Sequence, residues 1–107
     1  MRDFAELEPL IEALCARAAS EHPNTRLLVE IEDLLAEGYL CALHGDLRSR
    51  RLQDRFDTLV AAGSGEQLRA VAQEQRLVAD ATRRLRRQLA TMRAHWVALG
   101  SDRIGLA

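Results

Sequence analysis

Apolar residues recur in alternating steps of three and four on both sides of the short run Gly63-Ser64-Gly65, which is the spacing of one face of an α-helix. Counted outward from the run, the rows are Leu59, Phe56, Leu52, Ser49, Gly45, Ala42, Gly38, Leu35, Ile31, Leu28 and Leu68, Val71, Gln75, Val78, Thr82, Leu85, Leu89, Met92, Trp96, Leu99. Corresponding positions add up to 127, so the rows face each other in one antiparallel helical hairpin. Small residues then oppose large ones, as Gly38 opposes Leu89. Trp96 is predicted to lie in the core opposite Ile31.

A second, shorter row with the same spacing precedes the hairpin. It consists of Phe4, Leu7, Ile11, Leu14 and Ala18. These positions mirror Cys41, Gly38, Leu34, Ile31 and Leu27 across the turn at His22-Pro23, and each pair adds up to 45. The pattern predicts a short first helix that packs on the first half of the second helix.

The chain is therefore predicted to be a single all-α domain: a short N-terminal helix on a long antiparallel hairpin, similar to a three-helix coiled coil. The expected helices span about 4–20, 25–62 and 65–99, followed by a C-terminal tail over 100–107. The alternative has four helices, with a break at Gly45-Asp46, because glycine ends helices and aspartate begins them. We favour the continuous helix, since a break would disturb the steps of three and four, which pass through Gly45 unchanged.

Composition agrees with a helical protein, because leucine, alanine, arginine and glutamate dominate and aromatic residues make up only 4% of the chain. No run of apolar residues is long enough to span a membrane. The N-terminal residues carry several acidic side chains and resemble neither a signal peptide nor a transit peptide. A cytoplasmic location is therefore expected.

Charge is balanced overall but unevenly distributed. Residues 1–47 hold ten acidic residues and three arginines, whereas 48–93 hold five acidic residues and eleven arginines. The arginine-rich stretches 48–55 and 83–93 could contact nucleic acid, which makes a nucleic-acid-associated regulator the alternative function. The hairpin brings 83–97 alongside the acidic stretch 30–44, however, so ion pairs between helices are the simpler expectation.

The residues suggest no chemistry. Glu37, Cys41 and His44 share one helical face, as metal ligands can, but no second segment with ligands converges on them. The remaining sequence contains no catalytic constellation and no phosphate-binding loop. We therefore expect no enzyme activity, no metal, no cofactor and no small-molecule substrate.

Four large side chains lie outside both hairpin rows: Tyr39, Leu40, Leu43 and Leu47. They form either a surface that the first helix covers or an exposed strip that binds a partner, and we take them as the candidate partner-binding residues.

A further expectation concerns the hairpin tip, about 46–81, called the arm below. Its two helices bury little apolar surface, which favours a homodimer in which two arms form a four-helix bundle, or a helix from a protein partner. The expected function is a protein–protein interaction module, chaperone-like or adaptor-like, that acts by helix–helix packing.

Overall fold

The computed structural model describes the backbone of residues 2–105 and the side chains of residues 2–100, and this part of the chain forms three helices. α1 spans Phe4–Ser20, α2 spans Thr25–Ala62 and α3 spans Gly65–Gly105. The all-α prediction, a short helix on a long hairpin, is confirmed. α2 continues through Gly45 and Asp46, so the four-helix alternative is wrong. The molecule is elongated, with extents of 64 × 21 × 19 Å.

Polar caps and one glycine set the helix boundaries. The side chain of Asp3 accepts a hydrogen bond from the Glu6 N–H at 3.0 Å, and that of Asn24 accepts one from the Leu27 N–H at 2.8 Å. Each cap satisfies a backbone donor that has no partner within the first turn. α2 ends where Gly63 adopts a left-handed conformation with φ 74°, which favours a residue without Cβ.

The third helix ends later than the sequence indicated. Helical backbone continues through Gly100 to Gly105, six residues beyond the predicted end at 99. Gly100 does not adopt the left-handed conformation that a helix-ending glycine requires. A glycine that keeps helical angles weakens a helix without ending it. Of the tail predicted over 100–107, residues 106 and 107 lie outside the described residues.

α2 and α3 pack in the predicted register, in which facing positions add up to 127. A Cβ on Gly38 would stand 2.4 Å from Leu89 Cδ2, and a Cβ on Gly45 would stand 2.4 Å from Thr82 Oγ1. Both glycines therefore mark points where the two helices approach more closely than a larger residue allows. This close approach explains why α2 keeps a glycine in its interior despite the intrinsic cost, about 1 kcal/mol relative to alanine.

The core divides into a large part and a small part. The large cluster lies where all three helices meet and includes Leu7, Ile11, Leu27, Leu85 and Leu89. In the arm, the buried cluster consists of Leu52, Val71 and Val78, with Phe56 and Leu59 packed against it. The hairpin is thus three helices thick at one end and two at the other.

α1 contacts α3 more extensively than it contacts α2. The apolar row of α1, whose positions mirror those of α2, had instead predicted α2 as its main neighbour. α1 runs parallel to α3, and Gln88 of α3 donates a hydrogen bond to Glu12 of α1 at 3.4 Å. Beside its buried row, α3 offers half-buried Ala81 and His95 at the same heptad position as Gln88. Gln88 thus lies on the side of α3 that α1 contacts. The spacing of the apolar row therefore identified the buried face of α1 but not the helix on which α1 mainly packs.

Trp96 is another correction, because its side chain lies at the surface and is 37% exposed. Its indole Nε1 donates a hydrogen bond to Glu32 Oε1 at 3.0 Å. An indole N–H needs a polar partner, and the edge of the α2–α3 interface supplies one while the ring still contacts protein. The prediction of a core tryptophan opposite Ile31 is wrong for this reason.

Candidate functional site

The four predicted partner-binding residues are all exposed. Tyr39 is 41% exposed, Leu40 47%, Leu43 56% and Leu47 47%. Exposed Ala36 precedes them on the same face of α2, at the spacing 36, 40, 43, 47. We call these five residues the α2 stripe. The alternative that α1 covers this surface is wrong, because α1 lies on the other side of α2.

The exposure follows from how α2 is used by its neighbours. Gly38, Ala42 and Gly45 face α3, and buried Leu34 and Cys41 lie on the neighbouring face toward α1. The α2 stripe occupies the remaining side of the helix, opposite both partners. Between Ala36 and Leu47 it extends about 16 Å along the helix at 1.5 Å per residue.

Opposite charges stand at the two ends of the α2 stripe. Glu32 and Asp33 lie one turn before Ala36, and Arg50 and Arg51 lie one turn after Leu47, all of them exposed. Among the residues whose side chains are described, Asp33, Arg50 and Arg51 form no ion pair within the chain. The surface is therefore an apolar band with an acidic end and a basic end.

Ion pairs between helices are present, as the charge distribution suggested. Arg84 Nε lies 3.4 Å from Glu8 Oε1, and Arg86 Nη1 donates to Asp46 Oδ1 at 3.0 Å. This hydrogen bond, with the positive charge of Arg86, holds the pKa of the Asp46 carboxyl below its ordinary value. Part of the basic stretch in α3 is therefore neutralised by α1 and α2.

Two acidic residues in the first half of α2, however, pair with α1 and the residues just before it and not with α3. Arg17 Nη1 lies 2.7 Å from Glu30 Oε2, and Arg2 Nη2 lies 2.6 Å from Glu37 Oε2. Glu30 and Glu37 share a helical face that is turned toward α1, which explains the difference from the prediction. The hydrogen bond from Arg2 lowers the pKa of Glu37 and raises that of Arg2.

The arginines of the stretch 48–55 are only partly neutralised within the described side chains. Arg48 pairs with Glu74 of α3. Within the described side chains, Arg50, Arg51 and Arg55 form no ion pair, although Asp54 and Asp57 are close in sequence. Asp54 lies four residues after Arg50 and three after Arg51, so a shared helix face permits an ion pair but does not ensure one.

The groups that carry chemistry are scattered. In the part of the chain that the structure describes, no three histidine, cysteine or acidic side chains converge as metal ligands do. Burial is the main cause of a raised pKa at both Cys15 and Cys41, so both remain protonated thiols at neutral pH. Glu37, considered above with Cys41 and His44, is held by Arg2.

A shallow groove of about 340 Å³ lies between α1 and α2. Its apolar lining includes Leu10, Ala13 and Leu34, and Arg2 and Arg17 also line it. Both arginines are already hydrogen-bonded to carboxylates of α2, so their charges are used within the fold. The α2 stripe, by contrast, consists of exposed Ala36 and four large side chains that are 41–56% exposed.

The helices described here lack the combination of length and apolar character that crossing a bilayer requires. No family model, curated protein or solved structure matches the chain. The functional assignment therefore depends on the physical properties of the surface alone.

Proposed function

We propose that this protein is a cytoplasmic helical-hairpin interaction module that binds a helix through the α2 stripe and performs no catalysis. The observation that carries the proposal is the exposure of four large side chains on one uncovered face of α2. Single exposed leucines are common on soluble proteins, whereas contiguous apolar surface generally marks a contact.

Helix-on-helix binding suits the shape of this surface. The α2 stripe is narrow and straight, with the side-chain spacing that another helix recognises at positions i, i+3, i+4 and i+7. The other large apolar side chains that are exposed in the arm do not form such a row, because Val60 lies on α2 and Leu77 lies on α3. The arm thus supplies less continuous apolar surface than the thicker end does.

The energy available from the α2 stripe is modest. Burying a fully exposed leucine contributes about 2 kcal/mol, and these side chains are roughly half exposed, so four of them contribute about 4 kcal/mol. Association itself costs on the order of 4–15 kcal/mol in lost freedom of motion. The apolar contact therefore needs additional favourable contacts around it, which suits a reversible adaptor-like or chaperone-like role.

Co-purification with matched variants tests this proposal. Leu43→Asp places a charge in the α2 stripe, and Leu77→Asp places the same charge at an exposed leucine elsewhere. Both positions lie outside the core, so both variants should keep the melting temperature of the wild type within a few degrees.

Tagged wild type, Leu43→Asp and Leu77→Asp are incubated with lysate of the cells that make the protein. We expect binding, whether to other proteins or to untagged copies of the chain, to persist with Leu77→Asp and to fall at least tenfold with Leu43→Asp. Equal binding by the two variants would show that the α2 stripe is not the docking surface.

A further inference from the structure

The charges at the ends of the α2 stripe restrict what can bind there. A partner helix that covers the whole row must meet Glu32 and Asp33 at one end and Arg50 and Arg51 at the other. It must therefore carry positive charge opposite the acidic end, an apolar segment opposite the α2 stripe and negative charge opposite the basic end. The spacing between its charged ends must match that on α2. Like charges placed opposite each other would oppose binding.

α2 itself carries this sequence of charges when it is laid antiparallel. Positions that add up to 83 then face each other: Leu40 faces Leu43, and Ala36 faces Leu47. The two central layers are apolar, and the second of them again sets a small residue against a large one. The same surface of α2 is therefore complementary to itself, which is the requirement for a two-fold symmetric contact between two copies.

The charged ends fit the same register. Glu32 of one copy faces Arg50 of the other, and Asp33 faces Arg51. The position numbers of these pairs add up to 82 and 84, one below and one above the sum of 83 that defines the register. Two-fold symmetry produces each of these pairs twice. A parallel arrangement would instead set Asp33 against Asp33 and Arg51 against Arg51, so the charges favour only the antiparallel one.

From this self-complementarity we propose that the occupant of the α2 stripe is a second copy of this chain, antiparallel, with the two-fold axis passing between positions 41 and 42. The inference rests on the proposed function and names the partner. The resulting contact is back to back: the α1 and α3 helices of each copy lie on the outside. It differs from the four-helix bundle of two arms, because the arms point away in opposite directions.

Sedimentation velocity at low ionic strength, from about 5 µM to about 1 mM protein, measures the predicted dimer. The wild type and Leu77→Asp should both pass from monomer to dimer with rising concentration. Leu43→Asp should remain monomeric throughout, because two aspartates would enter the central apolar layers without a positive partner.

A charge-reversal series tests the antiparallel register. Asp33→Arg alone and Arg51→Asp alone should each raise the dissociation constant about tenfold, since each creates two like-charge contacts in the dimer. The double variant Asp33→Arg/Arg51→Asp restores opposite charges and should return within about threefold of wild type. Parallel dimers would gain nothing from the double change, because like charges still meet.

Two outcomes overturn the inference. A wild type that stays monomeric up to about 1 mM excludes the second copy as the occupant, and a dimer that the double variant does not restore excludes the register. Neither outcome contradicts the proposed function, which depends on the difference between Leu43→Asp and Leu77→Asp in co-purification. Conversely, that function fails if both variants bind equally, whatever the oligomeric state.

Discussion

Replacing Gly38 with alanine adds a single methyl group at the tightest approach of α2 to α3. The new Cβ would stand 2.4 Å from Leu89 Cδ2, and its three nearest heavy atoms all belong to Leu89. Leu89 is 0% exposed, so its side chain has little free space into which to turn. The strain therefore arises from one neighbour and can be removed by changing that neighbour.

The expected energies follow from two opposing effects. Overpacking lowers the unfolding free energy by about 1–3 kcal/mol, whereas replacing a helical glycine by alanine raises it by about 1 kcal/mol. Gly38→Ala should therefore destabilise the fold by about 1 kcal/mol. Leu89→Ala leaves a cavity and should cost about 3 kcal/mol. In that background the methyl group at position 38 meets open space and should stabilise by about 1 kcal/mol.

The effect of Gly38→Ala on the unfolding free energy is thus expected to change sign when Leu89 is replaced by alanine. The double-mutant coupling energy should be about 2 kcal/mol. Urea denaturation followed by circular dichroism at 222 nm gives the four unfolding free energies. Protein concentration is kept equal and low, because self-association would add to the apparent stability. Gly100→Ala provides the matched control, since a Cβ there meets nothing within 4 Å.

A stabilisation by Gly38→Ala in the wild type, equal to that of Gly100→Ala, would refute the close approach of the two helices at this point. Additive effects at positions 38 and 89 would refute it as well, because they would show that the two residues do not touch. Either result would contradict the register on which the hairpin depends.

Asn24→Ala removes the N-cap of α2 and should lower the unfolding free energy by about 1 kcal/mol in the same denaturation assay, whereas Asn24→Asp should retain the capping oxygen and most of the stability. Asp46→Asn should lower the melting temperature by a few degrees at pH 7. Because Arg86 lowers the pKa of Asp46 below its ordinary 3.8, that stabilisation exists at neutral pH and is lost as the pH falls below this value. The difference between the two proteins should therefore shrink in a series of thermal scans below about pH 4. Heparin chromatography tests the nucleic-acid alternative: the pairing of several arginines predicts elution at low salt, and strong retention that fades steeply with salt would support that alternative.

The helices and the register of the hairpin could be predicted because the relevant information is local and periodic. Steps of three and four identify the buried face of each helix, and two rows on one chain can meet in few ways when the turn is as short as 63–64. Gly38 opposite Leu89 and Gly45 opposite Thr82 were both placed by position alone, and the structure confirms both contacts.

The position of α1 could not be fixed in the same way. Its apolar row is satisfied by any groove of suitable width, and the choice between α2 and α3 depends on the side chains that flank the hairpin seam, such as Gln88. Trp96 was misplaced for a related reason, because its hydrogen bond to Glu32 forms only once α2 and α3 are side by side.

Spacing and backbone preference predict which residues form helices, where α2 begins and ends, and which positions face each other across the hairpin. Whether another helix covers the α2 stripe depends instead on where α1 packs, which spacing along the chain does not specify. The same leucines at the same spacing would be core if α1 lay over them and are surface because α1 lies on the opposite side. Exposure is a property of neighbouring elements, and the position of α1 is therefore what leaves this surface exposed.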